Sequence, residues 1–249
     1  MNEGVIKNRL DLLIRLQDTT NGMAVNERNI RFYRNGEEIR PMFRGDGNFI
    51  LTNTGRENSL MQINVYGFEP YEAVVDYQVL DERLPVLDAF LIPSEHMRAE
   101  QDLLSVTGRM EGLKSIEAVH LARPLSGLRE FNPKKCEMTV YMPNRRMNMV
   151  HTYYGLVNTA EGTFEDFVIL EELSDKKVRI KEPLRGEFPQ NAPICRLIFG
   201  QVKSDGSYLL RVRNTGKNLK HLVRFLTEDG PQFQLIDFAK PDGSEEGEA

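Results

Sequence analysis

The residue types that perform most protein chemistry are sparse in this sequence and poorly grouped. Its four histidines, His96, His120, His151 and His221, stand far apart. A zinc site needs His, Cys or carboxylate ligands at short spacing. The sequence has no H-E-x-x-H and no C-x-x-C pair, so no metal and no cofactor is expected. Cys195 lies in Ile194-Cys195-Arg196-Leu197-Ile198-Phe199 and shares a strand face with Leu197 and Phe199. That pattern suits a small buried hydrophobe. Cys136 follows Lys134-Lys135, whose charges favour a thiolate, but a solvated surface thiol fits the same position. There is no G-x-S-x-G elbow and no G-K-[ST] phosphate loop, and Gly45-Asp46-Gly47 lacks the third glycine of a dinucleotide fingerprint. Arg44-Gly45-Asp46 spells an integrin tripeptide, a match that three residues reach easily by chance.

Two carboxylate pairs remain, Glu165-Asp166 and Glu171-Glu172. Glycoside chemistry needs two carboxylates facing each other across roughly 5–10 Å. Adjacent residues on a strand point to opposite faces, so these pairs are expected to be solvated charges. No catalytic residue is expected, and the chain is not read as an enzyme. The alternative is a site assembled only by folding, with His120, His151, Glu165 and Asp166 as its candidate members.

The elements that would carry these residues are strands. In Arg9–Gln17, Leu10, Leu12, Ile14 and Leu16 fall on one face, and Arg9, Asp11, Arg15 and Gln17 on the other, with Leu13 the exception. Such alternation marks a half-buried strand. Ile30–Arg34 and Glu37–Met42 flank Asn35-Gly36, which suits a two-residue type I′ hairpin. Short strands then recur, with turn residues every ~8–12 positions, through Pro93. Residues 8–93 are expected to form one sandwich of about seven strands. From residue 113 the pattern resumes in Ile116–Leu121, Glu137–Tyr141, Val150–Val157, Phe167–Glu172, Val178–Lys181, Ile194–Val202, Tyr208–Asn214, Leu222–Leu226 and Phe233–Phe238. No βαβ rhythm appears. The expected fold is therefore all-β: two antiparallel β-sandwich domains, 8–93 and 113–239. A short connector, 94–112, has room for a helix starting near Ser94. The acidic tail, 240–249, has nothing to bury and is expected to be disordered. Asp46-Gly47-Asn48-Phe49-Ile50-Leu51 is echoed by Asp205-Gly206-Ser207-Tyr208-Leu209-Leu210, which ordinary turn-into-strand chemistry explains.

The first 90 residues resemble the carboxypeptidase regulatory-like, or transthyretin-like, β-sandwich. The matching features are Asp18 after the first strand, Asp46-Gly47-Asn48-Phe49 as a DG-x-[FY] turn, and Gly67-Phe68-Glu69-Pro70 closing a strand. The resemblance implies a non-catalytic support or adhesion module. The enzymatic branch of that fold has paired histidines and a Tyr-Arg-Gly-Ser tail, whereas this chain has no histidine before His96 and no such tail. Val178–Asn214 resembles, in rhythm alone, the β-domains of phage tails and contractile-injection baseplates.

Composition bounds the partners. In 249 residues, 40% hydrophobic and 28% charged side chains support a core. A net charge of −5 argues against a general nucleic-acid binder. No secretory signal and no apolar run of roughly 18 residues is found, so cytoplasmic residence, or a particle assembled there, is expected, without membrane insertion. Met138–Val150 gathers four methionines around Pro143-Asn144-Arg145-Arg146. Methionine, arginine and tyrosine favour adaptable contact surfaces. Met142, Arg145, Arg146, Met147, Tyr153 and Tyr154 are thus the candidate protein contacts. The expected function is a non-catalytic structural or adaptor role among other protein subunits, including copies of itself. A carbohydrate-binding or other ligand-binding module is the alternative, with Tyr66, Phe68 and Tyr71 as its aromatic candidates.

Overall fold

The computed structural model describes residues 9–27, 29–95, 102–141, 152–216 and 218–239. Every named element among them is a strand. The chain forms two compact units: residues 1–19 with 23–101, and residues 20–22 with 102–249. No helix among the described residues is long and apolar enough to cross a membrane.

The first unit contains β1 (Leu10–Asp18), β2 (Met23–Ala24), β3 (Ile30–Arg34), β4 (Glu37–Ile39), β5 (Met42–Gly45), β6 (Asn48–Thr52), β7 (Ser59–Val65), β8 (Tyr71–Val75) and β9 (Val86–Leu91). One sheet has the order β2-β1-β6-β5, with β9 on the other edge of β1, and a second has the order β4-β3-β7-β8. β9 runs parallel to β1, while β1 pairs antiparallel with β2 and β6. Inward residues of both sheets build one core, including Leu12, Ile14 and Leu16 of β1, Phe32 of β3, Phe49 of β6 and Met61 and Ile63 of β7. Phe32 and Phe49 meet at 4.9 Å between ring centroids. The β3–β4 hairpin turns on Asn35-Gly36, with Arg34 opposite Glu37 and φ of 52° and 83°. Both central residues take the positive φ that this turn requires.

β1 differs from its expected half-burial. Asp11, Arg15 and Gln17 are buried along with the apolar face. The cause is position: β1 has a neighbour on each edge, and its charges are matched locally. Asp11 accepts the N–H groups of Thr54 at 2.5 Å and Gly55 at 3.1 Å, and Arg9 Nε at 2.7 Å. Burial pushes the Asp11 carboxyl up, but those bonds outweigh it and hold the group below its ordinary value. Arg15 grips Asp88 of β9 with two bonds, of 2.5 and 2.7 Å.

The second unit contains β10 (Leu103–Arg109), β11 (Ser115–His120), β12 (Ser126–Asn132), β13 (Glu137–Val140), β14 (Tyr153–Asn158), β15 (Thr163–Ser174), β16 (Lys177–Ile180), β17 (Pro193–Phe199), β18 (Gln201–Val202), β19 (Ser207–Arg213), β20 (Lys220–Thr227) and β21 (Gly230–Asp237). It begins at Asp102 rather than 113, because β10 pairs along its whole length with β19. Seven of the 19 residues of the expected connector, Leu103–Arg109, are therefore sheet. The helix expected to start near Ser94 runs into residues 96–101, which lie outside the described residues, as does the acidic tail.

Six strands of this unit close on themselves. The order is β12-β13-β16-β15-β14-β17, and β12 pairs again with β17 through Ser126↔Ile194 and Gly127↔Pro193. All six strands send side chains into one interior: Leu128, Met138, Val140, Tyr154, Leu156, Phe167, Ile169, Val178, Ile180 and Ile194. A closed ring leaves no edge within it. The sheet continues outward from β17 through β11 and β20 to β21. A separate three-stranded sheet, β10-β19-β18, shares a second core with β11 and β20 through Ile116, Ala118, Leu210, Val212, Val223 and Phe225.

The two echoed turns are alike for a local reason. A Cβ on Gly47 would stand 2.6 Å from the Leu16 carbonyl oxygen, and one on Gly206 would collide with that of Met110. The Leu16 and Met110 N–H groups donate to the Gly47 and Gly206 carbonyls at 2.9 and 3.0 Å. Both turns lie flat on a neighbouring strand, and glycine is what allows that approach.

Candidate functional site

The second unit carries a cleft of about 600 Å³ beside β14 and β15, within the size range of small-ligand sites. β14 contributes Tyr153, β15 contributes Phe164 to Val168, β21 contributes Phe233, and residues 181–188 form the facing wall. Arg224 of β20 lies within it, held by two carboxylates. Its Nη2 is 2.6 Å from Glu117 Oε2 and its Nη1 is 2.8 Å from Asp166 Oδ1. The guanidinium carbon stands 5.0 Å above the centre of the Phe164 ring. Burial works against the Arg224 charge, but Glu117 and Asp166 more than offset this and raise its pKa.

Glu165 leaves β15 on the face opposite Asp166. Its two oxygens accept the N–H groups of Arg185 at 2.7 Å and Gly186 at 2.9 Å, fixing the facing wall. Asp166 is 45% exposed while paired with Arg224, and Glu165 is held by backbone. The other pair lies away from the cleft, where Glu171 meets Arg179 at the surface. Among the described residues, the cleft lining includes no histidine, cysteine or serine.

The remaining candidates within the described residues do not meet at one site. His120 stacks on His221 and does not line the cleft. His151, His96, Met142, Arg145, Arg146 and Met147 lie outside the described residues. Tyr153 lines the cleft and meets Phe199 edge-on at 5.6 Å. Tyr154 is fully buried inside the ring of strands, against Phe167 at 5.7 Å, so its ring has no surface to offer a partner. Burial raises its phenol to about 12. Of the aromatic trio, only Tyr66 points outward. Phe68 and Tyr71 pack on the first unit's core, and the Tyr71 hydroxyl donates to the Asp88 carbonyl at 3.2 Å. Cys195 is buried beside Leu197, and burial pushes its thiol up to about 12. Among the described residues, no group of three or more His, Cys, Asp or Glu side chains is placed to hold a metal ion.

Glu117 and Arg224 are the site residues that sequence patterns did not single out. Each interrupts an apolar strand, in Ile116-Glu117-Ala118-Val119 and Leu222-Val223-Arg224-Phe225-Leu226. One acid and one base at such positions are the signal that pairs them.

The last feature is an edge. β21 ends the nine-stranded sheet and pairs only with β20 among the described residues. From Gly230 to Ile236 it carries no charge, and Leu235 is 54% exposed. Phe238 N–H reaches the Leu219 carbonyl on the β20 side. Counting back by the strand period of two, Phe233 and Leu235 direct their backbone groups away from β20. No family model matches this chain, nor does any curated protein or solved structure.

Proposed function

We propose that this chain is a non-catalytic structural or adaptor subunit of a multi-subunit assembly, with a transthyretin-like sandwich as its first unit. Its partners are other protein subunits, copies of itself among them, and a phage-tail-like or contractile-injection particle is the assembly in view. The observation that carries this reading is the β21 edge. Proteins protect sheet edges with charge, proline or shortness. β4 carries Glu37 and Glu38, β5 carries Arg44, β8 carries Glu72, and β10 carries Arg109. β2 and β18 are two residues long. β21 has eight residues, and between Pro231 near its start and Asp237 at its end it carries no charge and no further proline. An unprotected edge of that length suits strand addition by another chain.

Leu235→Pro tests this reading. Pro231 already occupies an equivalent outward position, so the ladder to β20 tolerates the change. In pull-downs from the native host, the wild-type chain is expected to recover a complex and the variant to lose it. A wild-type chain that sediments as a monomer and recovers no complex contradicts the reading.

The cleft supports a second reading, a ligand-binding module. Asn158, several carboxylates and the rings of Tyr153, Phe188 and Phe233 are groups that suit a carbohydrate. Binding on a glycan array that is lost in Tyr153→Ala supports it, and a silent array removes it.

A further inference from the structure

His120 and His221 face each other directly across the β11–β20 ladder, with ring centroids 4.5 Å apart. Both are buried, His221 to 2% exposure and His120 to 9%. Each ring nitrogen that bonds the backbone does so to a carbonyl, so it carries the proton. His120 Nε2 donates to Asn218 O at 2.8 Å, and His221 Nδ1 donates to Leu219 O at 2.9 Å. These acceptors are successive residues of the β19–β20 connector, where Asn218 holds a φ of 48°. Leu219 O also accepts the N–H of Phe238, just beyond β21. Phe238 packs edge-on against His221 at 5.0 Å. The pair thus ties together β11, the connector, β20 and the end of β21.

We propose that this histidine pair is an acid-sensitive latch, whose protonation releases residues 218–222 and the end of β21 from the second unit. The neutral rings are suited to their surroundings, and the charged rings are not. His120 Nδ1 is buried with no hydrogen-bond partner among the described residues. A proton there would be a buried donor without an acceptor. A proton on each ring would also set two like charges at stacking distance. Among the described residues, Arg123, after β11, opposes a charge on His120, and Asp237 of β21 favours one on His221 without offsetting its burial. Lys220 stands opposite that aspartate in the register. On the connector, Asn218 and Leu219 meet the rings through their carbonyls, and from β21 the residue facing His221 is the apolar Ile236.

Burial, the largest cause, depresses both imidazoles, His221 to about 4. A free histidine titrates near 6.5. Between those values the opened state binds more protons than the closed one, so opening becomes easier as pH falls. Each proton contributes up to about tenfold per pH unit. His221 alone therefore makes local opening about 150-fold easier at pH 4, and the gain levels off near about 300-fold below that.

Amide hydrogen exchange at residues 218–222 and 238 reads the latch, with the first unit as an internal control. The expected result is opening at these amides that rises steeply from about pH 6.5 to 4 while the first unit's core changes less. His120→Gln with His221→Asn keeps both donors to the carbonyls and removes titration, and is expected to flatten the rise. A flat wild-type profile, or an unchanged slope in the double variant, overturns the latch. If the double variant does not fold, imidazole NMR on the wild-type chain decides. A buried ring titrating well below 6.5 supports the proposal, and both rings titrating near 6.5 refute it. The latch does not depend on the assembly reading, since exchange is measured on the isolated chain.

Discussion

One ladder, β11 against β20, carries two buried polar pairs of opposite character. Glu117 faces Arg224, and three rungs away His120 faces His221. An odd number of rungs puts them on opposite faces of the sheet. The first pair is charged and complementary, with Asp166 and the Phe164 ring completing its surroundings. The second is neutral, and ionisation would turn it against itself. The same strands therefore hold one ion pair of opposite charges and one polar contact that acid undoes. Which behaviour results depends on partner chemistry rather than on burial, which both pairs share.

Breaking the charged pair gives the largest expected effect. Arg224→Met leaves Glu117 buried without its cation, at a cost of about 3–5 kcal/mol, measured by urea unfolding of the second unit. The histidine pair comes next. Its folded-state pKa values are depressed, so stability is intact above about pH 6.5 and is lost as pH falls toward 4. For His221 the loss amounts to roughly 3 kcal/mol, read as a falling denaturant midpoint across that window. Arg224→Met should leave that pH slope in place, because its charge is on the other face. If it abolishes the slope, the two pairs are one coupled network and the contrast fails. Asp166→Asn is expected to cost less than about 1 kcal/mol, because this carboxylate is half exposed and solvent screens it. Leu235→Lys, on the open edge, should change stability by no more than about 0.5 kcal/mol while abolishing association.

Strands with clear period-two patterning were legible in the sequence, and so was the Asn35-Gly36 turn. β10 and β12 were not. In Leu103–Arg109, only Leu103 is fully buried, and Gly108 and Arg109 blur its end. In Ser126–Asn132, Leu128 alone is fully buried, and Gly127 precedes it. Such strands are held by neighbours rather than by their own pattern. The ring was invisible for the same reason, since its closure rests on Ser126 and Gly127 meeting Ile194 and Pro193. Periodicity also misplaced the polar face of β1, because Arg15 is buried by Asp88, 73 residues away. Of the cleft, Glu165, Asp166 and Tyr153 had been singled out, but their partners come from Arg185, Gly186 and Arg224. No local spacing encodes those meetings. The His120–His221 pairing, 101 residues apart in sequence, is of the same kind.

The proposed role in assembly rests on β21, and amide exchange at Phe233 and Leu235 tests it most directly. Those two N–H groups point away from β20, so in the isolated chain they should exchange rapidly. In the complex recovered from the host, they should become protected, as do amides in a strand ladder. Exchange that stays rapid in the complex would show that the edge remains open, and would contradict strand addition as the basis of assembly.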